Sequence, residues 1–109
     1  MVFGDKPKDK PIGGMKYSVN WTKGKEGNQA REGQTVSIKC SSEGPSPAQV
    51  LFGVYQNGFP VIIGQKPGGK IDFKLSRKGI SLKGEATIKV TCYDSTWRSF
   101  GWKDGFKIV

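Results

Sequence analysis

The residues of this sequence that could do chemistry are two cysteines, nine carboxylates and a large set of lysines. Histidine is absent, which removes Ser-His-Asp and Cys-His nucleophiles, imidazole metal ligands and the histidine pH switch. The carboxylates stand singly, mostly in turns and beside lysines, whereas paired acid and base catalysis needs two carboxylates in one cleft. We therefore expect no catalytic residue and no enzymatic activity.

Cys40 and Cys92 are separated by 52 residues, and without further ligands that spacing does not suit zinc. The Pro-Gly-Gly-Lys segment at 67–70 lacks the spacing of a phosphate-binding loop and is typical of a turn. We expect neither a metal nor another cofactor. The sequence allows two alternatives: the cysteines form one disulfide, or they are two buried thiols.

Positive charge is the most unusual global property of the 109-residue chain, with 18 Lys and Arg against 9 Asp and Glu. Lys70 and Lys74 share one strand face with Asp72 between them, which favours a basic sheet surface and a polyanionic partner, either an anionic glycan or nucleic acid. Lysine far outnumbers arginine, however, and arginine is the usual residue for phosphate and base recognition. Lysines on sheets also prevent edge-to-edge aggregation, so both interpretations stay open.

Aromatic residues crowd around the segment DSTWRS at 94–99. Trp97 and Arg98 are flanked by Ser and Thr, which predicts an exposed pair that could anchor a protein interface or stack on sugars or bases. For Trp102 the sequence supports an exposed partner-binding position and a core position equally. The candidate partner-binding residues are Trp97, Arg98, Trp102, Lys103, Lys70 and Lys74.

Alternation of apolar and polar residues predicts strands throughout residues 15–109, and no segment has a sustained helical period. Asn57-Gly58 between two β-rich runs predicts a two-residue hairpin. Asp104-Gly105 is a second turn signal and predicts a last hairpin or bent strand. Residues 1–14 are charged and rich in Pro and Gly, which predicts a flexible basic tail ahead of one all-β domain.

The strand TVSIKC ending at Cys40 and the strand ATIKVTCYD containing Cys92 resemble the B and F strands of an immunoglobulin-like sandwich. The resemblance covers residues 15–109, with Phe52 where such domains carry tryptophan and Val90 where they carry the corner tyrosine. It implies an antiparallel sandwich of about 7–8 strands, core contact between the cysteines, and binding rather than catalysis. A small OB-type β-barrel is the alternative fold.

These features predict a non-enzymatic binding or structural module at an exterior surface, in particular a virion or capsid-surface decoration or attachment protein with a protein or particle surface as its partner. The alternatives are a single-stranded nucleic-acid-binding domain and a carbohydrate-binding module with Trp97 and Trp102 as sugar platforms. The apolar stretches are too short to span a membrane. No signal peptide is recognised in the first twenty residues, and an extracellular or virion location is favoured.

Overall fold

The computed structural model describes residues 11–12, 15–43 and 46–109, which form ten strands and no helix. The prediction of an all-β fold is confirmed. The strands are β1 (Pro11–Ile12), β2 (Met15–Lys23), β3 (Lys25–Glu26), β4 (Gln29–Ala30), β5 (Thr35–Ser42), β6 (Gln49–Gln56), β7 (Phe59–Pro67), β8 (Lys70–Lys74), β9 (Gly84–Tyr93) and β10 (Ser99–Ile108).

The strands divide between two packed sheets, which confirms the predicted sandwich and sets aside the OB-type barrel. The small sheet has the order β1-β2-β5-β8, and the large sheet has the order β3-β4-β10-β9-β6-β7. Seven strands have five residues or more, close to the predicted count, and β1, β3 and β4 add two residues each. All described pairings are antiparallel except that of β4 with β10.

The core lies between the sheets because each long strand turns every second side chain inward. Strands β5 and β9 supply fully buried aliphatic residues, among them Ile38 and Val90. Phe52 of β6 stacks on Phe73 of β8 with ring centroids 4.1 Å apart. A phenylalanine pair thus crosses the sandwich from the position where the resemblance would place a tryptophan.

The two predicted turns have opposite outcomes. Asn57 and Gly58 have φ of 54° and 82° and join β6 to β7, so the two-residue hairpin is confirmed. Of the last hairpin or bent strand predicted at Asp104-Gly105, the hairpin is wrong, because β10 continues through both residues, which pair with Ile88 and Thr87 of β9. The long ladder with β9 outweighs the local preference of an Asp-Gly pair.

Most of the predicted tail lies outside the described residues, which omit 1–10 and 13–14. Within it, Pro11 and Ile12 pair with Lys16 and Met15 of β2 and lengthen the small sheet by one short strand. The flexible tail ahead of the domain stays a prediction.

A disulfide joins Cys40 of β5 to Cys92 of β9, and so ties the small sheet to the large one. The two Cα atoms are 6.4 Å apart, and both cysteines are buried in the core. The residues next to each cysteine are exposed or half-buried, so both cysteines occupy inward positions of their strands.

We expect reduction of this disulfide to lower the free energy of unfolding by about 4 kcal/mol, because a closed loop of this length restricts the unfolded chain. Urea unfolding of the oxidised and the reduced protein measures the difference. The doubly substituted chain Cys40→Ala/Cys92→Ala is the control and should not respond to the reductant. Equal stability of the oxidised and reduced protein would contradict the expectation.

Candidate functional site

The turn of residues 94–98, here called the Trp97 turn, connects β9 to β10 and is organised by the buried carboxylate of Asp94. Its Oδ1 accepts hydrogen bonds from the Thr96 backbone N–H at 2.8 Å, the Thr96 hydroxyl at 2.7 Å and the Arg98 backbone N–H at 3.0 Å. A short acidic side chain that folds back onto the backbone two residues ahead is the Asx arrangement that starts turns. Asp94 thus fixes the path of the turn.

Backbone hydrogen bonds close the same turn. The Trp97 N–H donates to the Asp94 carbonyl, and the Asp94 N–H donates to the Arg98 carbonyl, both at 3.0 Å. Trp97 has φ of 65°, a left-handed conformation that costs a residue with a side chain about 1–3 kcal/mol and persists only where the surroundings determine it. Here the bonds to Asp94 hold it.

The side chain of Trp97 is 67% exposed. Its indole meets the ring of Tyr93 edge-on, with centroids 5.8 Å apart. Because Tyr93 is half-buried at the end of β9, the contact supports the indole from one side and leaves most of it accessible. The turn presents a large aromatic surface in one orientation.

Arg98 lies beside Trp97 and is tied to the same carboxylate. Its Nε donates to the Thr96 hydroxyl oxygen at 3.0 Å and lies 3.4 Å from Asp94 Oδ2. About half of the Arg98 side chain, 52%, remains exposed. Trp97 and Arg98 are therefore both exposed on the same turn, as predicted for an exposed pair.

The electrostatics of the Trp97 turn depend on the bonds to Asp94. The Thr96 hydroxyl lowers the pKa of the Asp94 carboxyl most, and the two backbone N–H groups and the Arg98 charge lower it further against the opposing effect of burial. Tyr17 of β2 packs on Phe100 of β10, two residues beyond the turn, with ring centroids 5.6 Å apart. Burial and then the Asp94 charge raise the pKa of the Tyr17 hydroxyl.

The other predicted partner-binding residues lie elsewhere. Trp102 is half-buried in β10 and meets Trp21 of β2 edge-on at 6.5 Å, so it packs between the sheets rather than beside Trp97. Lys103 is exposed on the outer face of the large sheet, opposite Lys89. Neither Trp102 nor Lys103 therefore belongs to the site at Trp97 and Arg98.

Lys70 and Lys74 are exposed on β8, on the outer face of the small sheet. Between them, Asp72 accepts a hydrogen bond of 2.6 Å from the Ser37 hydroxyl. That bond lowers the pKa of the Asp72 carboxyl most, and nearby lysines, with Lys70 the strongest, lower it further. Lys70 also lies directly opposite Lys39 of β5, so this face is basic as predicted.

Sequence reasoning missed the role of Asp94, although Asp followed two residues later by Thr is a signal for an Asx turn. It also missed the hydrogen bond that Trp21 Nε1 donates to Asp104 Oδ2, which at 2.9 Å joins β2 of the small sheet to β10 of the large sheet. No local pattern signals that bond, because the two residues are far apart in sequence.

No protein-family model matches the chain, and no curated protein matches its sequence. Across the residues that the structure describes, there is no helix long and apolar enough to cross a membrane. The same residues contain no cluster of three or more His, Cys, Asp or Glu side chains that could hold a metal ion.

We expect acid to destabilise the folded protein partly through Asp94. Because its pKa is lowered on folding, the stability that it contributes is present above the ordinary Asp value of about 3.9 and is lost as the pH falls through the lower folded value. The wild-type Tm should therefore fall more between about pH 7 and about pH 3 than the Tm of Asp94→Asn, whose side chain does not ionise.

Circular dichroism during heating measures both Tm values at each pH. Asp94→Asn keeps an oxygen that can accept the same hydrogen bonds, so the variant is matched in shape. An equal fall of Tm in the two proteins would show that Asp94 titrates alike in the folded and the unfolded chain.

Proposed function

We propose that this protein is a non-catalytic binding module of immunoglobulin-like form that attaches to a protein partner at an exterior surface through the Trp97 turn. The observation that carries the proposal is an indole that is 67% exposed on a turn held by hydrogen bonds to a buried carboxylate. Exposing a large aromatic side chain to water and holding its backbone at positive φ both cost free energy, and the exposed indole is not part of the core. Recognition of a partner accounts for both costs.

The strand order supports the immunoglobulin-like form. In such sandwiches one sheet contains strands A, B and E and the other contains G, F and C, with C′ added in the variable type. Here β2-β5-β8 follow the first order and β10-β9-β6-β7 follow the second. The disulfide joins β5 to β9, the positions of B and F.

The chemistry of the Trp97 turn supports a protein partner. Trp and Arg, together with Tyr, are the residues that contribute most to protein interfaces, and Trp97 and Arg98 are adjacent and exposed. Because Asp94 already fixes the turn, binding loses little conformational entropy in ordering it, which favours affinity.

The disulfide supports an exterior location, since such bonds persist in oxidising surroundings. Within that class, decoration of a virion or capsid surface is the form we favour, because a small sandwich with a covalently joined core and an exposed aromatic anchor suits attachment to a larger particle. The partner in that case is the particle surface itself.

The test is retention on purified virions or cell-surface fractions from the source, measured by co-sedimentation at increasing protein concentration. We expect Trp97→Ala to weaken retention by about tenfold or more, because loss of a hot-spot aromatic removes the largest single contribution to an interface. Phe59→Ala is the matched control, since Phe59 is an aromatic of similar exposure, 70%, on β7. It should bind as the wild type does.

Two results would contradict the proposal. One is equal retention of Trp97→Ala and wild type, which would place the contact away from the turn. The other is wild-type protein that remains in the supernatant with every particle and surface fraction.

A further inference from the structure

Strand β2 contains a tripeptide that the proposed function does not use. Asn20, Trp21 and Thr22 have the Asn-X-Thr pattern of an acceptor for N-linked sugars. The chain has three asparagines, and only Asn20 is followed two residues later by Ser or Thr. Because such tripeptides also occur by chance, the position of this one in the fold decides whether a sugar has access to it.

The middle residue of the tripeptide points inward. The Trp21 indole meets Phe106 edge-on with ring centroids 5.0 Å apart, and its Nε1 donates to Asp104 Oδ2 at 2.9 Å. Both partners belong to β10 of the large sheet. Successive side chains of a strand point to opposite faces, and Asn20 and Thr22 are indeed exposed whereas Trp21 is half-buried. The two residues that define the acceptor therefore lie on the outer face of the small sheet.

The pairing of β2 leaves space beside the acceptor. On one side, Asn20 lies opposite Lys39 of β5. On the other side, β1 pairs only with the first two residues of β2, so beyond them this edge of β2 has no strand partner among the described strands. The register with β5 shifts between Trp21 and Lys23, so Thr22 has no residue directly opposite. A sugar on Asn20 would meet water on the open side of β2.

The surface around the acceptor is polar. Ser18 of β2, Lys39 of β5 and Lys70 of β8 are exposed on the same face. Among the residues that the structure describes, every large hydrophobic side chain that is exposed lies outside these three strands. A bulky, hydrophilic modification suits such a face. An unpaired strand edge, in contrast, is a template for pairing with another chain and is commonly covered or blocked.

We propose that Asn20 is N-glycosylated and that the glycan covers the free edge of β2. In the transfer, a bond forms between Asn20 Nδ2 and C1 of the first sugar of a polyprenyl diphosphate-linked oligosaccharide. The bond between that C1 and the diphosphate oxygen breaks, the diphosphate leaves, and the amide gives up one proton. Neither partner is oxidised or reduced.

The disulfide supports this modification independently. The bond between Cys40 and Cys92 requires oxidising surroundings, among which is the lumen of the endoplasmic reticulum, and N-linked sugars are attached in secreted proteins. The inference shares only the exterior location with the proposed function. It does not depend on the Trp97 turn, which connects two strands of the large sheet.

The experiment is mass analysis of the full chain, secreted from cultured eukaryotic cells behind a cleavable signal. We expect a mass above that of the sequence, which peptide N-glycosidase removes. In water labelled with heavy oxygen, that enzyme converts a glycosylated asparagine to a labelled aspartate, and the label should be found at Asn20. The same label is expected at Asn20 in protein purified from its source.

Paired variants test the acceptor residue by residue. Thr22→Ala should lose the glycan although Asn20 is unchanged, whereas Thr22→Ser keeps the hydroxyl and should retain it. Asn20→Gln should lose the glycan. Asn28→Gln is the matched control, because Asn28 is also exposed but has Ala two residues later, and its mass shift should equal that of the wild type. An intact disulfide in each secreted variant, read from the same spectra, shows that loss of the glycan is not a failure to fold.

Aggregation on warming tests the role of the glycan at the edge. Asn20→Gln should aggregate faster than Asn28→Gln, because the edge of β2 is then uncovered. Asn20→Gln should be retained on particle fractions as the wild type is, and Trp97→Ala should remain glycosylated, so failure of this site and failure of the Trp97 turn are distinguishable.

Three results would overturn the proposal. An unmodified Asn20 in the secreted chain or in protein from the source would refute the modification. A glycan that persists in Thr22→Ala would place the sugar at another residue. Equal aggregation of Asn20→Gln and Asn28→Gln would refute protection of the β2 edge.

Discussion

The bond between Cys40 and Cys92 is the constraint on which the rest of the structure depends. It fixes β5 of the small sheet against β9 of the large one, and β9 pairs with both β6 and β10. The same strand therefore sets the register that places Lys89 between Gly53 and Lys103, and it ends where Asp94 begins the Trp97 turn. The proposed binding surface at the Trp97 turn therefore follows directly from a covalently anchored strand.

The long strands could be predicted because burial of one face imposes alternation, as around Cys40 and Cys92, and the Asn57-Gly58 hairpin follows from conformations that few other residue pairs adopt. The failure at Asp104-Gly105 has a tertiary cause, since nothing local reveals that β9 continues opposite both residues. The two-residue strands β3 and β4 could not be predicted from the sequence for the same reason. Their pairing depends on the final position of β10.

The candidate site, like the fold, could be predicted only in part. Polar neighbours marked Trp97 and Arg98 as exposed, but Trp102 shares its strand face with Phe100 and Phe106, a spacing that could have favoured an inward position over a surface one. The side-by-side placement of Gly53, Lys89 and Lys103 could not be predicted from local sequence. It results from the pairing of β6, β9 and β10, and this register is a property of the folded sheet.

The central claim is that a rigid sandwich holds an exposed aromatic turn in one orientation before any partner binds. The most direct measurement is ¹⁵N relaxation of the free protein at the Thr96, Trp97 and Arg98 amides and at the Trp97 indole N–H. The hydrogen bonds to Asp94 predict order parameters of about 0.85, as in the strands, in spite of the exposure of the turn. Values below about 0.6 would show a flexible loop and would contradict a preformed binding site.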